Sequence, residues 1–363
     1  MSAPTVAPAA FSRVRERFAQ LAELVATPLV PNDFVDLIDP LRSSADLRGR
    51  IVAVQVETRD AVTLVIRPGR GWRTHVPGQY VRLGVDVDGV RQWRAYSLTS
   101  PLGRQDGCIS VTVKAIPDGK VSNYLVRKAR PGLVVQLDQA AGEFVLPPTR
   151  PARTLFVTAG SGITPVMGML RNAVDQLDDV VLVHSAPTGA DVIFADELRE
   201  MAASGRLHLI EKHTDVDGML SPLDLVALVP DVAARETWAC GPAGMLDALE
   251  AHWAGLGIAD AMHTERFRAT ALVTGEGGTV TFSKATVTIE ADGATPLLDA
   301  GEAAGVLMPS GCRMGICFGC VVPLLSGAVR DLRDGHVTTA VEGDGVKIQT
   351  CINAAAGSCD IEL

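Results

Sequence analysis

No stretch of this chain approaches the run of about 18 apolar residues that a membrane-spanning helix needs. The opening residues, MSAPTVAPAAFSRVRERF, lack the apolar core of a secretory signal. There is no excess of positive charge either. Lys and Arg number 33 against 42 Asp and Glu, and the net charge of −9 argues against nucleic acid as a partner. Cysteine is scarce and irregular. Of seven, three (Cys108, Cys240 and Cys359) fall at no regular spacing, which argues against a disulfide framework and for a reducing, cytoplasmic setting. Internal repeats and low-complexity tracts are absent. What remains is a globular composition, 47% hydrophobic and 21% charged, in a 363-residue chain too long for one ordinary core, so two to three domains are expected.

The other four cysteines are not scattered. Gly311-Cys-Arg-Met-Gly-Ile-Cys-Phe-Gly-Cys320 places Cys312, Cys317 and Cys320 at C-x4-C-x2-C, and Cys351 follows 31 residues later. That is the plant-type ligand spacing of a [2Fe-2S] cluster. Three thiolates wrapping one small anionic cluster need a tight loop with backbone N–H groups aimed at sulfur, and Gly311, Gly315 and Gly319 allow it. The competing reading is structural zinc, whose ligands usually come as two separated close pairs; here three are clustered and one is remote. The segment from about 277 to 363 resembles the plant-type ferredoxin family.

Ahead of it the hydrophobic period changes twice. Residues 1–10 are Ala/Pro-rich. Phe11, Val14, Phe18, Leu21 and Val25 then recur at steps of 3 and 4, an amphipathic helix that either packs on the body or lies on a membrane or membrane-bound partner. From Arg50 the period is two, and six short strands are expected around Val52–Val56, Val62–Ile66, Tyr80–Val85, Trp93–Leu98, Ile109–Ile116 and Leu133–Leu137. One helix, Val121–Lys128, precedes the last of them. Six antiparallel strands imply a closed barrel. Past Pro147, Pro148 and Pro151, apolar strands alternate with helices, which means a parallel sheet covered on both faces. The expected organisation is an N-terminal extension (1–45), a six-stranded antiparallel barrel (46–150), an α/β unit (151–260), a connector (261–276) and a β-grasp-like module (277–363).

Motifs fall within these units. Arg94-Ala-Tyr96-Ser97, with Pro77-Gly-Gln-Tyr80 ahead of it, offers a guanidinium for phosphate, a flat ring to stack and a hydroxyl donor. Alone, such a stretch also fits a buried strand with one Arg. Gly119-Lys120-Val121-Ser122 opens a helix, where backbone N–H groups suit a pyrophosphate. Gly160-Ser-Gly162-Ile-Thr164-Pro165 is a glycine turn between strand and helix but departs from the G-x-G-x-x-G fingerprint. Cys240-Gly241-Pro242-Ala-Gly244 follows the fourth α/β strand, and Cys240 also fits a buried inert thiol.

These motifs, with Gly142-Glu-Phe144, are similar to those of the ferredoxin–NADP reductase family, and the likeness runs from Arg50 to Leu363. It implies FAD at Arg94, Tyr96, Ser97 and Gly119–Ser122. It implies a nicotinamide nucleotide at Gly160, Gly162, Thr164, Pro165, Ser185, Cys240, Gly241 and Pro242. Ser97, Cys240 and Glu265 come out near the reacting rings. Phe11–Leu41 and His75–Tyr80 also resemble the actinobacterial reductases that serve acyl-CoA desaturases. The implied activity is an NAD(P)H-dependent reductase that passes electrons through FAD and [2Fe-2S] to an oxygenase. The acceptor expected first is a fatty-acyl desaturase or related di-iron hydroxylase, which would hold the protein at the membrane through its partner. A Rieske-type ring hydroxylase comes second, and a redox sensor without rapid turnover third. Coenzyme choice is open between NADH and NADPH. The segment His184–Thr188 carries neither an Arg for a 2′-phosphate nor an acid for a 2′-OH, Lys212 and His213 come after the third strand, and the resemblance favours NADPH.

Overall fold

The computed structural model describes residues 39–42, 46–117, 119–267, 273–311, 313, 315 and 318–363. The amphipathic segment Phe11–Val25, and Cys312 and Cys317, lie outside the described residues.

Six strands build the first unit: β1 (Arg48–Thr58), β2 (Ala61–Pro68), β3 (Tyr80–Val87), β4 (Val90–Ser97), β5 (Ile109–Lys114) and β6 (Val134–Leu137). They pair in the order β4-β3-β6-β1-β2-β5, and the ring closes through a bridge between Leu98 and Val111. Inward residues at period two (Ile51, Leu64, Ile66, Val81, Leu83, Val111) fill the barrel, and helix α1 (Lys120–Lys128) adds Val121 and Leu125 to that core. Asp88 and Gly89, both at positive φ (52° and 82°), make the two-residue turn that sets β4 beside β3.

The second unit runs β7 (Thr154–Ala159), α2 (Ile163–Ala173), β8 (Val180–Ala186), α3 (Ala195–Ala203), β9 (His208–His213), α4 (Pro222–Leu228), β10 (Glu236–Cys240), α5 (Ala243–Gly255) and β11 (Met262–Glu265). The sheet is wholly parallel, in the order β11-β10-β7-β8-β9. Alternate residues of each strand feed two cores, Phe156, Leu182 and Trp238 on one face, Leu155, Val183 and Ala239 on the other. Two expectations need correcting. Residues 261–276 are not all connector, because Met262–Glu265 is the fifth strand; four half-buried residues at a sheet edge carry no apolar run to announce it. Lys212 and His213 do not follow the third strand but end it, opposite Ser185 and Ala186.

The third unit contains β12 (Gly278–Phe282), β13 (Val287–Ala291), α6 (Leu297–Ala303), β14 (Val321–Asp331), β15 (Val337–Ala340), β16 (Lys347–Gln349) and β17 (Asn353–Ile361). The order β13-β12-β17-β14-β15 is antiparallel except for β12 beside β17, and β16 pairs with the start of β14. Helix α6 buries Leu297 and Leu298 in one core with Phe282, Val322 and Ile361, the mixed sheet and single helix of a β-grasp.

Candidate functional site

In a doubly wound parallel sheet the ligand crevice lies outside the carboxyl ends of the strands where their order reverses. Here the chain runs from β7 to β8 and β9 on one side and to β10 and β11 on the other, so the crevice falls between β7 and β10. The two glycine motifs end those two strands. Gly160 takes a positive φ of 53° directly after β7. A Cβ on Gly162 would collide with the carbonyl of Cys240, so this position needs glycine for the two loops to touch. Ile163, Thr164 and Pro165 are buried at the start of α2, and Thr164 Oγ1 donates to Ser161 O at 2.9 Å. Ser185 is buried near the end of β8, Gly241 is half-buried and Pro242 is exposed.

Cys240 and Glu265 are cross-strand neighbours in register, brought together from 25 residues apart by the edge strand. Burial pushes the Glu265 carboxyl up to about 8, and its Oε2 has no hydrogen-bond partner among the described residues. Burial, and then the nearby Glu265, raise the Cys240 thiol well above its ordinary value. At neutral pH this corner holds a neutral acid and a neutral thiol, both able to donate a proton.

The third member, Ser97, stands at the end of β4 opposite Tyr80. It is 3% exposed and its Oγ has no partner among the described residues. A buried hydroxyl without a partner is costly, on the order of 1–3 kcal/mol, and fits a group that the site is built to receive. Three residues before it, Arg94 keeps Nη1 on Trp93 O at 2.8 Å and Nη2 on Gln92 Oε1 at 3.3 Å. Burial lowers its affinity for a proton, as does the charge of Arg313, which brings the loop around the clustered cysteines close to β4. Tyr96 is half-buried between these two, and desolvation raises its phenol. Gly119 caps α1 without a side-chain hydrogen bond, and Lys120 is exposed in its first turn. The side chain of Ser122 is otherwise engaged: its Oγ accepts from Ile116 N and donates to Gly119 O, both at 3.3 Å, and so closes the turn before the helix. Donor set and orphaned hydroxyl together fit a flavin along β4, with a phosphate near Arg94.

In the third unit Cys320 and Cys351 are both buried, with sulfurs 3.2 Å apart. A disulfide would need about 2.05 Å, so these are two thiols in contact. Thr350 donates to Cys320 O through N and Oγ1 at 3.2 and 3.1 Å, and Gln349 Nε2 donates to Gly315 O at 2.9 Å, tying the turn that carries Cys351 to the loop. Arg313 and Phe318 in that loop are both left-handed, at φ of 62° and 54°. The described half of the ligand set fits the cluster.

Sequence reasoning missed one buried pair. His184, in register with Thr158, shares a hydrogen bond of 2.8 Å between its Nδ1 and Thr158 Oγ1. Its Nε2 has no partner among the described residues, and burial pushes the ring down to about 4. A histidine inside an apolar strand was the available signal.

Comparison with known proteins agrees with this fold. Residues 72–146 match the oxidoreductase FAD-binding domain, 156–251 the oxidoreductase NAD-binding domain and 280–355 the 2Fe-2S iron-sulfur cluster binding domain. The chain is 46% identical over 367 residues to an NADPH oxidoreductase of Mycobacterium tuberculosis, covering 99% of this chain and 96% of the relative. It is 32% identical to the ferredoxin reductase component of 3-ketosteroid-9-alpha-monooxygenase from Mycolicibacterium smegmatis, over 80% of this chain and 89% of that one. Among solved structures, phthalate dioxygenase reductase superimposes with a TM-score of 0.61 at 23% identity, covering 88% of this chain and 98% of that one.

Proposed function

The chain belongs to the NAD(P)H oxidoreductases of the ferredoxin reductase type that carry FAD, NAD and 2Fe-2S domains, and we propose that within this family it moves electrons from NADPH to an oxygen-activating iron enzyme. Bound FAD supplies the exchange between a two-electron hydride donor and one-electron carriers, and the cluster supplies the outlet. The protein's own part is placement. Tyr96 offers a stacking face and Ser97 a hydroxyl donor. Arg94 and the first turn of α1, with Gly119, Lys120 and Val121, offer charge and N–H groups to the phosphates. Gly160, Gly162, Thr164 and Pro165 admit the coenzyme against α2, with Ser185, Gly241 and Pro242 along its path. Cys240 and the protonated Glu265 flank the nicotinamide, and Cys312, Cys317, Cys320 and Cys351 hold the cluster. The observation that carries this reading is Cys240 and Glu265 in register beside the sheet's switch point, each made a weaker acid by burial.

The coenzyme reading rests on two supports. The relative matching 99% of the chain is an NADPH oxidoreductase. Lys212 and His213 stand beside Ser185 and Ala186 at the carboxyl ends of adjacent strands, where a 2′-phosphate would lie. Lys212 leans on Asp224 at 3.4 Å, and a Cβ added at Gly189 would meet the His213 ring at van der Waals distance. Lys212→Glu should cut the kcat/KM ratio of NADPH over NADH by at least tenfold; an unchanged ratio removes Lys212 from the subsite.

For the acceptor, a fatty-acyl desaturase or related di-iron hydroxylase follows from the likeness of Phe11–Leu41 and His75–Tyr80 to desaturase reductases. A Rieske-type ring hydroxylase is the second reading, and relatives that are reductase components of a glycine betaine monooxygenase and of a 3-ketosteroid-9-alpha-monooxygenase support an oxygenase as acceptor. Adding the purified protein and NADPH to a desaturase-containing membrane fraction, and separately to a purified Rieske oxygenase, decides between them. Steady NADPH–ferricyanide turnover excludes a slow sensor.

A further inference from the structure

One helix touches both halves of the hydride site. The N-terminal end of α2 meets the nicotinamide side through Gly162, packed against Cys240 and Gly241. Six residues on, roughly 9 Å along a helix, Gly168 meets the flavin side. A Cβ there would overlap the carbonyl of Leu98, the residue after Ser97, and would lie 3.5 Å from Gly78 N. A glycine inside a helix costs about 1 kcal/mol relative to alanine, so its presence in the middle of α2 calls for a packing reason, and this close approach provides one. The last turn of α2 then clamps the same strand end. Arg171 Nη1 donates to Thr99 O at 2.6 Å, and Asn172 Nδ2 donates to Ser100 O at 3.2 Å. Asn172 Oδ1 accepts from Leu102 N at 2.6 Å. The other two donors of Arg171 fork onto Glu197 of α3, which stiffens the clamp.

We infer that α2 is the spacer that sets the flavin strand at its working distance from the nicotinamide corner, with Gly162 and Gly168 as contact points and Arg171 and Asn172 as the clamp. These are positioning residues, and the inference rests on Ser97, Cys240 and Glu265 forming the hydride site. A methyl group at residue 168 must push helix and strand apart by about 1 Å to reach an ordinary C···O contact. A displacement of that size can slow an oriented reaction about 100-fold.

The test uses the full-length holoprotein. Gly168→Ala should bind FAD at wild-type stoichiometry and pass electrons from chemically reduced flavin to ferricyanide at the wild-type rate. In stopped flow its flavin should be reduced by NADPH about 10- to 100-fold more slowly. The long-wavelength absorbance of stacked coenzyme and flavin should weaken, which loss of stability alone would not produce. Asn172→Ala adds no bulk and should slow the same step less; it serves if Gly168→Ala does not fold. Leu249→Ala, in the core on the other face of the sheet, gives a comparable fall in Tm with the reduction rate intact. Wild-type reduction and absorbance in Gly168→Ala, or in Asn172→Ala if the first is unfolded, overturns the spacer. So does an equal slowing in Leu249→Ala. Wild-type reduction in Cys240→Ser would instead sink the site reading.

Discussion

Two buried titratable residues give opposite pH signatures. Glu265 has its folded value raised from 4.5 to about 8, so above pH 4.5 the unfolded chain gives up a proton that the folded protein keeps. Its contribution to stability therefore falls as pH rises from 4.5 to 8. His184 has its folded value lowered from 6.5 to about 4, so the unfolded chain takes up a proton below pH 6.5 that the folded protein refuses. That penalty grows as pH falls from 6.5 to 4. Each shift is equivalent to a few kcal/mol at most. Glu265→Gln should raise Tm relative to the parent at pH 8 more than at pH 5, while His184→Gln should narrow the parent's loss between pH 7 and pH 5. Melting curves across that range check both, and a Glu265→Gln protein with the parental pH dependence would show the carboxyl ionised in the fold. The candidate residue types were readable, since the motifs around Arg94, Gly160 and Cys240 are local in the sequence. Their states were not. Nothing in the spacing of Glu265 says that an edge strand would lay it against Cys240, nor that Ser122 would spend its hydroxyl on Ile116 and Gly119.

At the level of elements the periodicity was a good guide wherever an apolar face repeats. Helix α4 and strand β10 begin and end where the pattern places them, and all six barrel strands lie where the alternation of Val, Leu and Ile puts them. The failures are short or polar. β11 is four residues with no apolar run, and β9 extends through Glu211, Lys212 and His213, whose pairing with β8 overrides their polarity. Turns are local enough to predict and to test. Gly89 sits at φ 82° in the hairpin that holds β4, with nothing near the place where its Cβ would be. Gly89→Ala therefore meets only backbone strain, about 1–2 kcal/mol. We expect a lower melting temperature for flavin release with the rate of flavin reduction unchanged. A melt equal to the parent's would mean that the turn relaxes into another form at no cost.

For the molecule as a whole, the question is where electrons leave. Residues 277–363 carry five basic and ten acidic residues, a net of −5 before any cluster charge. An outlet of that sign should steer toward a basic face on the acceptor and weaken with salt. The module can be removed, but not at residue 276. Val273 N donates to Leu332 O at 3.1 Å, Glu276 pairs with Arg330 at 2.6 Å, and Gly277 N donates to Ala355 O at 3.1 Å, so the strap from 273 onward is part of the module's own packing. Phe267, just past β11, is the better end, because it keeps Glu265 in its sheet. A chain ending there should still oxidise NADPH with ferricyanide, which can draw from the flavin, while reduction of the physiological acceptor falls by orders of magnitude. Cys351→Ser in the full chain should act the same way, since it removes a thiol that lies 3.2 Å from Cys320 without touching the barrel or the parallel sheet. Its visible spectrum should lose the cluster and keep the flavin. In the parent, raising the salt from 50 to 300 mM should slow acceptor reduction and leave ferricyanide turnover nearly constant. If the shortened chain drives its acceptor at the full-length rate, electrons leave from the flavin, and the four cysteines serve something other than the outlet.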